Sequence, residues 1–163
     1  MKLTNEQYQE TLKSLTTFHK LILGDPYPLS PNQALIMSAI STHMETIAVA
    51  GSKGGKSTIS AEASLWSVYR MLHVPNVYRK YGLNHGMFIY SMNIAPKEDV
   101  ALDIVLQYIK SFAYDSWYLR DFIEKDKRKE MWFKAITDEG EEVTIIARAQ
   151  GSSSKAGGVV PES

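Results

Sequence analysis

Ala50-Gly51-Ser52-Lys53-Gly54-Gly55-Lys56-Ser57 is the stretch that decides the fold. Three glycines in five positions free the backbone to turn its N–H groups inward, so that phosphate oxygens can approach without side chains in the way. The lysine and hydroxyl that close the stretch match the phosphate-binding loop. In that loop the lysine reaches the β- and γ-phosphates and the Ser or Thr hydroxyl meets Mg²⁺. Lys56 and Ser57 take those places here, with Thr58 beside them. Ala50 stands where the strict motif has glycine, so the motif is in its relaxed form.

The flanks supply the context such a loop requires. Residues 46–50, Thr-Ile-Ala-Val-Ala, form a short apolar run of the kind that makes a buried strand. From Lys56 onward, Ile59, Ala63, Trp66 and Tyr69 recur at helical spacing until Pro75. Strand, glycine loop and helix are therefore predicted in that order, with the positive end of the helix dipole at the phosphates.

Working outward, residues 87–92 read as a second buried strand. Val100, Ala101, Ile104, Val105, Tyr108, Ile109 and Phe112 then line one face of a predicted helix. Such alternation predicts an α/β fold with a mainly parallel sheet and helices packed on its faces, the three-layer sandwich of RecA/ASCE-like P-loop NTPases. Residues 115–129 read as a short helix ending in a mixed-charge run. Residues 131–137 and 142–149 read as a peripheral β-hairpin turning around Asp138-Glu139-Gly140. The Gly/Ser-rich stretch 151–158 reads as a loop.

On the N-terminal side, Thr4 and Gln7 fit a capping box ahead of one helix through Tyr8, Leu12, Leu15, Phe18 and Ile22, stopped at Gly24-Asp25-Pro26. Ser30 and Pro31 open a second helix running to about His43. A single P-loop domain over 1–163 is expected, with N-terminal helices in 1–44 and a nucleotide-binding core in 45–163.

Composition narrows the classes. Lys plus Arg equals Asp plus Glu at 18 each, so any contact with a polyanion has to be local. The absence of cysteine removes disulfides, thiolate metal sites and cysteine nucleophiles. The four histidines show no metal-ligand spacing. No stretch approaches the roughly 18 apolar residues of a membrane span, and the N-terminus lacks the apolar run of a signal peptide. An intracellular protein is expected.

Leu29-Ser30-Pro31-Asn32-Gln33, residues 50–58 and Ala95-Pro96-Lys97-Glu98-Asp99-Val100-Ala101 together resemble the N-terminal ATPase region of large terminase subunits, the DNA-packaging motors of tailed bacteriophages. The likeness covers nearly the whole chain. It implies an ATP-binding part of a motor that couples ATP hydrolysis to translocation of double-stranded DNA. It also implies Mg²⁺, assembly as a homo-oligomeric ring, portal and small-terminase partners, and a place in the cytoplasm of an infected bacterial host.

Residue by residue, the resemblance puts Gln33 at the adenine, since one carboxamide offers both a donor and an acceptor. A solvated helix-start glutamine is the plain alternative. Tyr27 is a candidate for stacking on the base or for an ordinary buried aromatic. The nucleotide set is Gln33, Ala50, Gly51, Ser52, Lys53, Gly54, Gly55, Lys56, Ser57 and Thr58, with Ser57 at the metal. Lys56 is placed in the catalytic set. Lys53 joins it as a charge for the γ-phosphate, against a solvated loop lysine, and Arg148 as a group presented to a neighbouring subunit's nucleotide, against a strand-end ion pair.

Hydrolysis also needs a carboxylate pair at the end of an apolar strand, and no run in the chain carries one. In the resembled family that strand follows a Gly/Ser-rich loop such as 151–158. The chain is accordingly expected to be the front portion of a longer ATPase, stopping short of the acidic pair and of the nuclease domain. A helicase-like P-loop ATPase and a non-catalytic nucleotide-binding module are the competing readings.

Overall fold

The structure is a computed structural model describing residues 1–49, 55–95, 97–137 and 139–152. Two capping boxes organise its N-terminal part. Thr4 accepts from Gln7 N while Gln7 reaches back to Thr4 N, starting α1 (Asn5–Lys13). Ser30 and Gln33 do the same for α3 (Pro31–Thr42), with Pro31 at its first position. Between them the predicted single helix is two. Ser14 adopts an extended conformation and uses its side chain to cap Thr17 N, which ends α1 and starts α2 (Leu15–Leu21). Serine competes well for backbone donors in this way, and hydrophobic spacing does not register the interruption.

The long helix α4 (Lys56–Leu72) is the hub of the core. Ile59, Ala61, Leu65, Trp66, Val68, Tyr69 and Leu72 are all buried on it. The N-terminal helices pack onto it through Trp66, whose indole donates to Thr11 O at 2.9 Å, and Tyr69, whose hydroxyl is 2.6 Å from Thr11 Oγ1. One turn, α5 (Val77–Lys80), follows.

The sheet has the order β1-β4-β3-β2, with β1 (Ile89–Ala95), β2 (Ile123–Asp126), β3 (Glu130–Ile136) and β4 (Glu142–Gly151). Only β1 and β4 run parallel; β3 is antiparallel to β4 and β2 to β3. The mainly parallel sheet expected from the strand–helix alternation is thus a mixed one. The hairpin is not peripheral: its strands β4 and β3 are the two central strands of the described sheet, and β4 lies directly beside β1. Residues 46–49 of the predicted first strand are not in the sheet, and Ile47 and Val49 are 83% and 97% exposed. A strand is stable only where another offers its ladder, and no described strand pairs with this run.

Val143, Ile145, Ala147 and Ala149 of β4 join Met131 and Phe133 of β3 in the core under the helices. The opposite face carries Tyr90, Met92 and Ile94, exposed at 47%, 43% and 67%. Among the described residues, helices therefore cover one face of the sheet. Ile146, flanked across the ladders by Tyr90 and Trp132, is the buried residue of the other.

After β1 the chain enters a continuous helical path: α6 (Glu98–Val100), a π-helical stretch over Ala101–Leu106, and α7 (Gln107–Asp115). The wider π turn shifts the phase of the side chains. Ala101, Leu102, Leu106, Ile109, Phe112 and Ala113 are buried, while Val100, Ile104 and Tyr108 of the predicted apolar face are about 40% exposed. The predicted helix over 115–129 is a 3₁₀ turn, Leu119–Phe122, followed by β2.

Candidate functional site at the start of the long helix

Gly55 is the N-cap of α4 and sits in the left-handed region at φ 71°. That conformation is strained for any residue with a Cβ. No side chain caps the helix there, so the first-turn N–H groups of α4 have no capping side chain at Gly55. Lys56 is exposed, and Ser57 and Thr58 are half-buried in the same turn. The helix dipole adds positive potential at this end, making the first turn a suitable seat for an anion.

The sheet fixes where this end lies. Asn93, near the C-terminal end of β1, donates from Nδ2 to Ser64 Oγ at 2.6 Å, and its Oδ1 is 3.5 Å from Ser60 Oγ. Both serines belong to α4, and past the other end of the helix the Tyr78 hydroxyl donates to Glu142 O at 3.4 Å, at the start of β4, which runs parallel to β1; the helix therefore starts toward the C-terminal end of β1 and runs back along it. Open α/β sheets bind ligands at that end of their parallel strands.

Gln33 arrives from α3. Its Oε1 accepts from Ser30 N at 3.0 Å, and its Nε2 lies where a Cβ on Gly55 would come within 2.4 Å of it. The structure therefore brings Gln33, Gly55, Lys56, Ser57 and Thr58 together. Ala50, Gly51, Ser52, Lys53 and Gly54 lie outside the described residues.

Arg148 is not part of this group. It stands on β4 opposite Met92 and Glu130, on the sheet face that α4 does not cover, and its Nε is buried with no hydrogen-bond partner. Tyr27 is tied down by its hydroxyl, which donates to Glu62 Oε2 at 2.7 Å, and its ring meets His19 edge-on at 4.9 Å. The phenol is thereby committed to α4, which favours the buried-aromatic alternative over a platform for a base.

Sequence reasoning missed Glu62, His19 and Asn93. Glu62 left a trace: it falls on the stripe Ile59, Glu62, Trp66, Tyr69, where a helix facing a core carries apolar residues. A carboxylate on such a stripe calls for buried partners. His19 and Asn93 carry no comparable local signal, because their partners come from distant segments.

The chain matches, over residues 1–155, the family described as "Uncharacterized protein MJ0330, N-terminal P-loop domain". It belongs to that family and is a P-loop domain of α/β architecture. No curated protein and no solved structure matches it. A P-loop domain points to nucleotide binding. Among the described residues, no helix is long and apolar enough to cross a membrane.

Proposed function

We propose that this P-loop domain is the ATP-binding part of a DNA-packaging motor of the terminase large-subunit kind. The observation that carries the nucleotide reading is the convergence of Gln33 with the uncapped first turn of α4, at the C-terminal end of β1. In this reading the N–H groups of residues 51–57 cradle the phosphates and the Lys56 ammonium pairs with the β- and γ-oxygens. Gln33 contacts the base. The half-buried Ser57 hydroxyl fits a hard cation that prefers oxygen ligands, and would hold Mg²⁺ together with the nucleotide. The metal's contribution is to neutralise charge that builds up on the phosphates.

The motor reading rests on the resemblance of residues 29–33, 50–58 and 95–101 to large terminase subunits. It brings with it double-stranded DNA, a homo-oligomeric ring, and portal and small-terminase partners. Arg148 on the sheet face away from α4 suits a residue offered to a neighbouring subunit better than one serving its own nucleotide. Lys53, inside the loop, is the other candidate for charge at the γ-phosphate.

A second reading, a nucleotide-binding module without turnover, is favoured by one observation. Neither parallel strand carries a carboxylate in its C-terminal half: β1 ends in Asn93-Ile94-Ala95 and β4 in Ala149-Gln150-Gly151. Binding of a fluorescent ATP analogue with Mg²⁺, compared between the parent and Lys56→Ala, tests the shared core of both readings. Lys56-dependent saturation is expected. Equal binding by a folded Lys56→Ala protein would remove them both. ATPase assays on the parent and on a C-terminally extended version, each with and without double-stranded DNA, then separate motor from module.

A further inference from the structure

Glu62 lies on α4, six residues after Lys56, with its side chain wholly buried. Its Oε1 is 2.7 Å from His19 Nδ1, and its Oε2 accepts from the Tyr27 hydroxyl at 2.7 Å. His19, also fully buried, turns its other nitrogen to Tyr27 O at 3.0 Å and Asp25 Oδ1 at 3.1 Å. Tyr27 is therefore held twice, by its carbonyl through His19 and by its hydroxyl through Glu62. The chain before it is unusual too: Gly24 and Asp25 both have positive φ, 77° and 55°, and Asp25 N donates to His19 O at 2.9 Å. Asp25 is one of two described non-glycine residues in that region, a conformation that persists only where surrounding contacts over-determine it.

Burying charged groups is a poor way to stabilise a fold, since an apolar cluster of similar volume does as well or better. What a fully hydrogen-bonded buried set provides is one fixed arrangement of the segments it joins. Here the joined segments are informative. Residues 25–30 lead into the α3 cap and Gln33, and α4 begins with Lys56 and Ser57.

We propose that Glu62, with His19 and Tyr27, is a positioning device of the nucleotide site, locking the segment that delivers Gln33 to the helix that carries Lys56 and Ser57. The inference rests on the nucleotide reading above. It assigns Glu62 no contact with the ligand: the carboxylate sets the distance between the base contact and the phosphate contacts. Burial lowers the His19 pKa, but the hydrogen bond and charge of Glu62, with Tyr27 O and Asp25, outweigh it and leave it raised. That direction agrees with an imidazolium donating from both nitrogens.

The test compares two ligands that share phosphates but not a base, MgATP and magnesium tripolyphosphate, on the full chain. Two substitutions disturb the lock conservatively: Tyr27→Phe removes one hydroxyl, and Glu62→Gln removes the charge at constant shape. Each variant is accepted when it melts cooperatively. The expected result is a loss of about tenfold in MgATP affinity with tripolyphosphate affinity within about twofold of the parent, as for a coupling between two parts of one site. Parent-like affinity for both ligands in a folded variant overturns the proposal, and so does equal weakening of both, which would mean a general loss of structure. The nucleotide reading fails differently, through a parent that binds neither ligand or through Lys56→Ala binding as the parent does.

Discussion

Gln33 and Gly55 meet across the gap between α3 and α4, and the glycine has no room for a side chain: a Cβ would stand 2.4 Å from Gln33 Nε2. Gly55→Ala therefore carries two penalties. The left-handed backbone at φ 71° costs about 1 kcal/mol for a residue with a Cβ. Displacing the carboxamide breaks its bond to Ser30 N, for roughly 0.5 kcal/mol more. Urea denaturation should show a total near 1.5 kcal/mol. The double variant Gln33→Ala/Gly55→Ala should lose less than the sum of the two single variants, because both remove the same cap bond.

Lys56 is exposed, so Lys56→Ala should leave stability within about 0.5 kcal/mol while abolishing binding of the ATP analogue. Arg148→Ala and Lys53→Ala should leave affinity within a few fold. In the proposed motor, whichever of the two supplies charge to the transferring phosphate should lower turnover by about 10³ or more when replaced. Single-turnover hydrolysis with and without double-stranded DNA reads this out. Parent-like turnover assigns the residue to the surface.

The two faces of the sheet should respond differently to truncation. Ile145→Ala removes a side chain that is 1% exposed beneath the helices and should cost about 2–5 kcal/mol by chemical denaturation. Ile94→Ala, on the uncovered face at 67% exposure, should cost less than about 1 kcal/mol. Similar losses at both positions would mean that the second face is covered in solution.

His73 makes stability fall with acid. Its ring is enclosed by Tyr8, Tyr69 and Tyr118, whose hydroxyl lies 3.0 Å from its Nε2. Burial lowers its pKa from 6.5 to about 4. The unfolded chain then binds the proton first, and stability declines as pH drops from 6.5 toward 4, by at most about 3 kcal/mol for this group. His73→Gln, which keeps an acceptor for Tyr118, should flatten that part of the profile in urea midpoints taken at several pH values. His19 works in the other window. Its raised pKa gives stability that is fully present below 6.5 and is lost as pH rises through the folded value.

Much of the fold was legible because it is written in local chemistry. The capping box at Thr4, the Ser30-Pro31 helix start, the start of α4 and the turn at Gly140 each depend on residues within four positions of one another. What escaped depends on distant pairing. Residues 46–50 have strand composition, yet a strand needs a neighbour, and composition does not say whether one is at hand. The placement of β4 beside β1 is likewise a long-range fact. So is the π stretch, which leaves Ile104 and Tyr108 of the predicted face exposed and buries Leu102 and Leu106 instead. For the candidate site, Lys56, Ser57 and Gln33 stood out by motif and place. The carboxylate that ties their segments together looked like one more charge on a helix.

The α3 cap bears on how a base can be told apart. With one lone pair of its oxygen engaged by Ser30 N, the Gln33 carboxamide keeps its two N–H hydrogens and a second lone pair. Adenine and guanine both present an acceptor at N7, and they differ in the neighbouring group, an amine in one and a carbonyl in the other. The hydrogens suit N7 of either purine and the carbonyl of guanine, whereas the amine of adenine needs the oxygen. A reading of adenine would therefore draw on the same oxygen that starts the helix, so that the base contact and the α3 cap would share one atom.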